Sequence, residues 1–161
     1  MGMRRRALLG AGTFAILPAL GAAQAPGRPI LSVTGRIAGQ ARHFDLPALE
    51  ALGRTDLSTR TSWTGTAMQH FAGVPLSRLL AEVGANGSLL RAAALNDYAV
   101  DVPVEDAARG AFLATRQDGE PLRVRDRGPV WLIYPWSERP ELDVATFRER
   151  SIWQLRRIDV R

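Results

Sequence analysis

Cysteine is absent from the 161 residues of the chain. Disulfide bonds, thiolate metal ligands and a cysteine nucleophile are therefore excluded. Histidine is scarce as well, because only His43 and His70 occur, so a zinc site built from cysteine and histidine is excluded. A Ser-His-Asp triad would have to use one of these two histidines, and no spacing in the sequence favours that arrangement. Hydrolase chemistry thus has no positive support.

Lysine is also absent, so all 21 basic residues are arginines. Three of them are Arg4, Arg5 and Arg6; without these, 18 basic residues face 16 acidic ones and the net charge falls from +5 to +2. No stripe of arginines interleaved with aromatic residues occurs, so the sequence does not indicate nucleic-acid binding. The length favours one domain with its own hydrophobic core.

The N-terminal segment has the composition of a secretory signal peptide. Arg4, Arg5 and Arg6 form its positive region, and the apolar run over residues 7–20 is short for a bilayer span. Arg5 and Arg6 also loosely match a twin-arginine export signal. An uncleaved anchor is the alternative. In either case we expect the protein to work in the periplasm, after export by the general secretion route or the twin-arginine route.

Small residues at positions 21–23 predict cleavage after Ala23. We therefore divide the chain into a signal peptide over residues 1–23, a Pro/Gly linker over residues 24–29 and one domain over residues 30–161.

Short strands and short helices follow one another without a regular βαβ alternation, which is typical of an α+β domain. Helices are predicted to begin at Asp45 or Leu46, at Pro75 and at Pro103. Asp118-Gly119 predicts a tight hairpin. Apolar or alternating runs predict strands over residues 30–34, 43–45, 57–63, 89–95, 99–102, 111–115, 122–125, 130–134 and 153–160. The strand over residues 130–134 is expected in the centre of a sheet because both of its faces are apolar.

A polar interruption separates two of these apolar strands. It consists of Asn96, Asp97 and Tyr98, which bring an amide, a carboxylate and a phenol side by side. Together these groups could bind the edge of a small heterocycle. The alternative is a simple turn in which the side chains satisfy nearby backbone groups.

Four motifs follow one another along the chain and together resemble a known family. They are Phe71-Ala72-Gly73-Val74-Pro75-Leu76-Ser77-Arg78-Leu79-Leu80, then Ala94-Leu95-Asn96-Asp97-Tyr98 with Val102-Pro103, then Gly128-Pro129-Val130-Trp131-Leu132-Ile133-Tyr134-Pro135, and finally Ser151-Ile152-Trp153-Gln154-Leu155. In this order they resemble the sulfite-oxidase-type molybdopterin-binding domain, over roughly residues 31–160. The resemblance implies a sulfite-oxidase-like α+β fold, with mixed sheets and short helices, and a pterin ligand.

The chain departs from that family at the metal. In the resembling enzymes a cysteine after the third or fourth strand ligates molybdenum, whereas the matching region here is Thr59-Arg60-Thr61-Ser62-Trp63. A hydroxyl at Thr61 or Ser62 is a harder and less acidic ligand than a thiolate, so we do not expect molybdenum. The chain is similar to small periplasmic pterin-binding proteins of the PruR type. That similarity implies a non-catalytic receptor that carries a reduced pterin or a molybdopterin-like ligand. It also implies docking on the periplasmic domain of a membrane-bound diguanylate cyclase or phosphodiesterase.

A pterin is flat and has a 2-amino-4-oxo edge, so the expected site combines three kinds of group. We assign Asp97 to the ring N–H and 2-amino group, because a carboxylate can accept from both. Asn96 is the candidate amide, and Arg127 or Arg150 the candidate donor to the 4-oxo group. The candidates for stacking on the ring are Trp63, Tyr98 and Trp153. We expect Asp97→Ala to lose the ligand while the fold survives.

Two other functions stay open at this point. One is a molybdopterin-dependent oxidoreductase with an atypical metal site. The other is an interaction module that uses the fold without a small ligand.

Overall fold

The computed structural model describes residues 27–63 and 65–161. The predicted signal peptide and the first residues of the predicted linker lie outside these ranges. In chain order the elements are β1 (Leu31–Gly35), β2 (Arg42–Phe44), α1 (Leu46–Glu50), β3 (Thr55–Thr59), β4 (Gln69–Pro75), α2 (Leu76–Glu82), β5 (Leu89–Ala94), β6 (Ala99–Pro103), β7 (Phe112–Gln117), β8 (Glu120–Pro121), β9 (Trp131–Ile133), α3 (Ala145–Arg150) and β10 (Leu155–Val160). Short 3₁₀ turns lie at Val104–Ala107, Val124–Asp126 and Pro140–Leu142. Within the described ranges, no helix is long and apolar enough to cross a membrane.

The first sheet has the strand order β2-β1-β10-β5-β6. Strands β1 and β10 are parallel, and the other neighbours are antiparallel. The last strand of the chain therefore lies in the middle of this sheet, between the first strand and the fifth. The predicted strand over residues 153–160 is confirmed from Leu155 onward, while Trp153 lies in the loop before it.

The second sheet has the order β3-β4-β7-β8, with β9 also paired to β7. The prediction that residues 130–134 form a central strand is wrong, because β9 pairs with β7 alone among the described strands. Its residues are nevertheless fully buried. The segment before β10 covers its free edge: Leu132 N–H donates to the Ile152 carbonyl and Leu155 N–H to the Val130 carbonyl. Apolar residues on both faces of this strand therefore indicate that it is buried. They do not indicate that it lies in the centre of the sheet.

Turn chemistry explains several element boundaries. The Asp45 side chain caps α1 by accepting from the Ala48 N–H at 2.8 Å, as expected for an Asp before a first-turn proline. Asp118 and Gly119 adopt φ values of 49° and 85°, which is the left-handed backbone that a two-residue hairpin requires. The predicted return strand over residues 122–125 is wrong. The paired residues are Glu120 and Pro121, and the Arg123 carbonyl then accepts from two later N–H groups in a tight turn.

Both sheets and α2 contribute to one hydrophobic core. Leu76, Leu79, Leu80 and Val83 are buried on one face of the α2 segment, which is the spacing of an amphipathic helix. Gly73 lies so close to the Leu113 backbone that a Cβ atom would clash with it, which explains the glycine in the Phe71–Leu80 motif. The largest fully buried side chains are Trp131 and Tyr134. The observed architecture is the expected α+β arrangement of two sheets with three short helices.

Candidate functional site

Three distant segments of the chain meet around one cavity of about 550 Å³. They are the loop after β3, the turn between β5 and β6, and the segment that runs from α3 into β10. The lining residues are Ser62, Trp63, Ala94, Asn96, Tyr98, Arg148, Glu149, Ser151, Ile152 and Trp153. A cavity of this volume lies in the range of small-molecule sites, and its lining is largely apolar with a few polar groups. Four of the predicted site residues lie here together: Trp63, Asn96, Tyr98 and Trp153.

The aromatic wall of the cavity is held by the core behind it. The rings of Trp63 and Trp153 are 6.0 Å apart at 82°. Trp63 also contacts Trp131 at 5.9 Å and Trp136 at 5.8 Å, and Trp131 is fully buried as expected for a core residue. Because the Trp63 and Trp153 rings are nearly perpendicular, a flat ligand can stack on one of them and meets the edge of the other. Trp153 is 40% exposed, so part of its surface is open to a ligand.

In the turn between β5 and β6, Asn96 satisfies local backbone and also faces the cavity, so the turn interpretation and the binding interpretation both apply to it. The Asn96 Oδ1 atom accepts from the Tyr98 N–H at 3.2 Å, so this side chain does satisfy local backbone. Its amide NH₂ group makes no hydrogen bond to the described residues, and Asn96 lines the cavity. Tyr98 is 53% exposed at the cavity mouth. A turn that is stabilised by Asn96 Oδ1 therefore still offers an amide donor and an aromatic ring to a ligand.

Asp97 lies in the same turn but borders a different depression, together with Arg156, Arg157 and His43. Its φ of 63° places it in the left-handed region that Asp and Asn tolerate better than most residues. Asn96 and Tyr98 line the aromatic cavity, whereas Asp97 does not. The assignment of Asp97 to a ligand in the cavity stays a prediction. The geometry favours other groups, because Asp97 does not line the cavity.

Glu149 is the carboxylate that the structure places in the cavity lining. It makes no ion pair or hydrogen bond with the part of the chain that the structure describes, so its oxygens are available to a ligand. Arg148, next to it, is held at the rim because its NH2 atom donates to the Asp143 carbonyl at 3.1 Å. Sequence reasoning missed both residues. Their position within the few residues before Ser151-Ile152-Trp153 is the signal that could have found them.

Arg127 supports the aromatic wall from outside the cavity. Its guanidinium lies 5.2 Å from the Trp131 ring centre and 6.0 Å from that of Trp153, and it donates to the Trp63 carbonyl at 3.2 Å. Cation–π contacts of this kind hold two of the tryptophans in place. Arg127 borders a neighbouring polar depression and not the aromatic cavity. The structure therefore gives it a positioning role toward the site.

Arg150 is bound to a buried carboxylate. Its NH1 atom donates to both oxygens of Asp106 at 3.0 and 3.2 Å, and the Tyr134 hydroxyl donates to Asp106 Oδ2 at 2.8 Å. Asp106 is 0% exposed, so its carboxylate is a buried partner and not a surface charge. Burial and the adjacent Asp106 carboxylate raise the pKa of Tyr134 far above its ordinary value, so its hydroxyl stays a donor. This network fixes the end of α3, from which Arg148 and Glu149 reach the cavity.

Thr61 and Ser62 occupy the region where the resembling enzymes have their metal-binding cysteine. Thr61 is buried, and Ser62 lies at the edge of the aromatic cavity. Across residues 27–63 and 65–161, no group of three or more Asp, Glu, His or Cys side chains is placed to hold a metal ion. The groups available in this region are hydroxyls, which are poor substitutes for a soft thiolate ligand.

Comparison with known proteins agrees with this architecture. The sequence model of the oxidoreductase molybdopterin binding domain matches residues 42–138. The crystal structure of the sulfane dehydrogenase SoxCD from Paracoccus pantotrophus superposes with a TM-score of 0.58 at 21% sequence identity, over 81% of this chain and 37% of that chain. The present chain thus corresponds to little more than a third of that protein. No curated protein sequence matches it. The expected sulfite-oxidase-like fold is confirmed.

Proposed function

Because the chain belongs to the oxidoreductase molybdopterin-binding domain family, we propose that it binds a pterin in the aromatic cavity and acts as a non-catalytic ligand carrier. The observation that carries the proposal is the meeting of Trp63, Tyr98 and Trp153 around a cavity of about 550 Å³. The cavity offers aromatic surface for a flat ring and a small number of polar groups for its edge. Because the chain has no cysteine to ligate molybdenum, binding of the pterin ring is itself the proposed function.

The polar edge of a pterin would meet the free amide NH₂ of Asn96 and a carboxylate. A carboxylate oxygen pair can accept from the ring N–H and the 2-amino group, while an amide NH₂ donates to the 4-oxo group. Glu149 lines the cavity without an internal partner, so it is the carboxylate that the geometry favours. Asp97, the carboxylate that the sequence favoured, is the competing assignment.

The molybdenum that the family implies does not fit the donor set of this chain. Thr61 and Ser62 supply hydroxyls where a thiolate is needed, and no cysteine occurs anywhere in the sequence. The competing function is a molybdopterin-dependent oxidoreductase with an atypical metal site. Elemental analysis separates the two, because that enzyme requires about one molybdenum per chain after purification from a molybdate-supplied host.

The partner proposal rests on the surface around the cavity. Leu95, Tyr98 and Trp153 are 39%, 53% and 40% exposed, and such a concentration of exposed apolar side chains is typical of an interaction surface. We place the protein in the periplasm, where the rim would dock on the periplasmic domain of a membrane-bound diguanylate cyclase or phosphodiesterase. The signal-like N-terminal sequence and the resemblance to periplasmic pterin-binding proteins support this proposal.

Ligand extraction tests the pterin proposal. The protein is expressed with its own N-terminal segment, purified from the periplasmic fraction and extracted with acid. We expect pterin fluorescence in the extract, or saturable binding when a tetrahydropterin is added to the extracted protein. An extract without pterin, together with no binding of added dihydro- and tetrahydropterins, would overturn the proposal.

A deletion strain tests the signalling partner separately. We expect loss of the gene to change cellular cyclic-di-GMP, and the wild-type gene to restore it. A pterin-binding-deficient variant that is exported and folded should not restore it. An unchanged cellular cyclic-di-GMP level would exclude the proposed signalling partner. Pterin binding would then be judged by ligand extraction alone.

A further inference from the structure

The outer face of the first sheet contains a second depression, of about 320 Å³, separate from the aromatic cavity. It is lined by Arg156 and Arg157 of β10, Ser32 and Thr34 of β1, His43 of β2, and Asp97. Its lining is polar and charged, and the proposed pterin function uses none of it except through the competing assignment of Asp97.

A β-bulge brings the two arginines to the same face. In a regular strand consecutive side chains point to opposite faces of the sheet. In β10, Leu155 pairs with Ala94 and Arg157 pairs with Ala93, so the register shifts by one residue between them. Arg156 and Arg157 are both exposed, while Leu155 and Ile158 on either side are buried. Such bulges often serve to redirect a side chain near a functional site.

The other arginines within the strands of this sheet have acidic partners, and these two do not. Arg42 pairs with Glu82 and Arg91 with Asp101. Arg156 and Arg157 make no ion pair or hydrogen bond within the described ranges. Two adjacent like charges on the central strand repel each other. The fold thus brings two arginine side chains together that have no direct ion pair within the described ranges, and the nearest carboxylates are Asp97 and Asp159.

The surroundings of the arginines leave room for an anion, and the neighbouring hydroxyls are engaged within the sheet. Small side chains, Ala93 and Ala94, also border the depression. The Ser32 hydroxyl and His43 Nδ1 are 2.9 Å apart, and the Thr34 hydroxyl donates to Asp159 at 3.1 Å. Asp97 and Asp159 each contribute a negative charge near the depression, so two arginines face two carboxylates, neither of which makes a direct ion pair with them.

We propose that this depression is a binding site for a phosphate group, held by the guanidinium groups of Arg156 and Arg157. Guanidinium groups match the geometry of phosphate oxygens bidentately. A phosphate monoester carries about −1.5 to −2 charges at pH 7, enough to neutralise the arginine pair. The phosphate belongs either to a soluble molecule or to a lipid headgroup, and the chemistry of recognition is the same for both.

Titration with inorganic phosphate at constant ionic strength, balanced with sodium chloride, tests the site. We expect saturable binding, reported by backbone amide shifts in β1, β5 and β10, that weakens at least about tenfold in the Arg156→Gln/Arg157→Gln double variant. The matched control is Arg91→Gln, an exposed arginine of the same sheet that has an acidic partner. Equal loss in the control would overturn the site, and so would the absence of saturable binding beyond chloride combined with the absence of vesicle binding. Thermal unfolding of each variant confirms that it is folded.

Asp97→Asn should change the phosphate affinity in the opposite direction. Asparagine keeps the shape of the side chain and tolerates the left-handed backbone at φ 63°, so the turn should survive. Removing the negative charge should tighten phosphate binding several-fold. A purely structural role of the depression would leave phosphate affinity unchanged, and that result would contradict the site.

Vesicles distinguish the two sources of phosphate. Binding to phosphatidylglycerol vesicles, but not to phosphatidylcholine vesicles, that depends on Arg156 and Arg157 assigns the site to an anionic headgroup. Binding of inorganic phosphate without vesicle binding assigns it to a soluble phosphate compound. Binding of neither probe would overturn the proposal.

Discussion

The aromatic cavity and the depression lined by Arg156 and Arg157 meet at Ala94 but differ in almost every physical respect. The cavity is lined by tryptophan and tyrosine rings and has few polar groups. The depression has two unpaired arginines, hydroxyls and a carboxylate. The turn between β5 and β6 serves both, because Asn96 and Tyr98 line the cavity while Asp97 lines the depression. Three consecutive polar residues in a sequence need not belong to one site.

This difference sets the expected binding behaviour. Stacking on rings such as Trp153 depends on buried apolar area and is little affected by salt. Binding at exposed arginines depends on charge and is screened by salt. Mutations and solution conditions should therefore affect the two regions independently, and the following predictions test that independence in order of expected size.

The largest effect is expected at Asp106, which anchors the α3 wall of the cavity. Asp106→Ala leaves Arg150 and the Tyr134 hydroxyl without their buried partner and should cost about 3–5 kcal/mol in the free energy of unfolding. Pterin affinity of the folded protein should fall because Glu149 loses its fixed position, while phosphate binding should persist. Chemical unfolding and ligand titration measure both effects.

The control for Asp106 is its neighbour, Glu105→Ala. Glu105 is exposed, and its ion pair with Arg109 is long at 3.4 Å, so a change of about 0.5 kcal/mol or less is expected. Equal stability of the two variants would contradict the anchoring role of Asp106.

Removal of an exposed ring of the cavity should have the next largest effect. Trp153→Ala should weaken binding of a tetrahydropterin by about 1–3 kcal/mol, the range measured when an aromatic partner of a nucleic-acid base is removed. Trp153→Phe should recover much of the affinity because it keeps a ring. Calorimetric titration measures this series, and an unchanged affinity in Trp153→Ala would exclude stacking on this residue.

Glu149 and Asp97 provide the sharpest comparison of the two regions. Glu149→Gln should weaken pterin binding by about 0.5–1.5 kcal/mol, since it removes the negative charge and one acceptor of hydrogen bonds while keeping an amide oxygen. Asp97→Asn should leave pterin affinity unchanged. The reverse pattern in the same binding assay would restore Asp97 as the carboxylate that binds the ring.

Salt should have the smallest effect on the cavity. Raising sodium chloride from about 0.05 M to about 0.5 M shortens the screening length several-fold and should weaken phosphate binding clearly. Pterin affinity should change by less than about twofold because the neutral pterin ring carries no net charge that salt could screen. A similar salt dependence of both ligands would indicate that they share one site.

Local sequence patterns predicted those elements whose boundaries depend on residues close in sequence. Examples are the helix starts at Asp45 and Pro75 and the Asp118-Gly119 hairpin. The edge position of β9 depends on coverage by residues 150–155, and no local pattern shows such a long-range contact.

The cavity lining could be predicted in part from the sequence. Trp63, Asn96, Tyr98 and Trp153, which line it, were selected because they stand in loops or in motifs of the resembling family, and their role toward a ligand stays a prediction. The side to which Asp97 points follows from a left-handed backbone within the turn, and the pairing of Arg150 follows from a buried partner 44 residues away. Glu149 was missed because an acid near several arginines suggests a surface ion pair.

Pterin binding is best tested by titration of the purified chain with a tetrahydropterin, followed by quenching of tryptophan fluorescence. We expect saturable quenching with one site per chain, strongly weakened in Trp153→Ala and unaffected by Arg156→Gln/Arg157→Gln. Absence of saturable quenching in the ligand-free wild-type protein would contradict pterin binding.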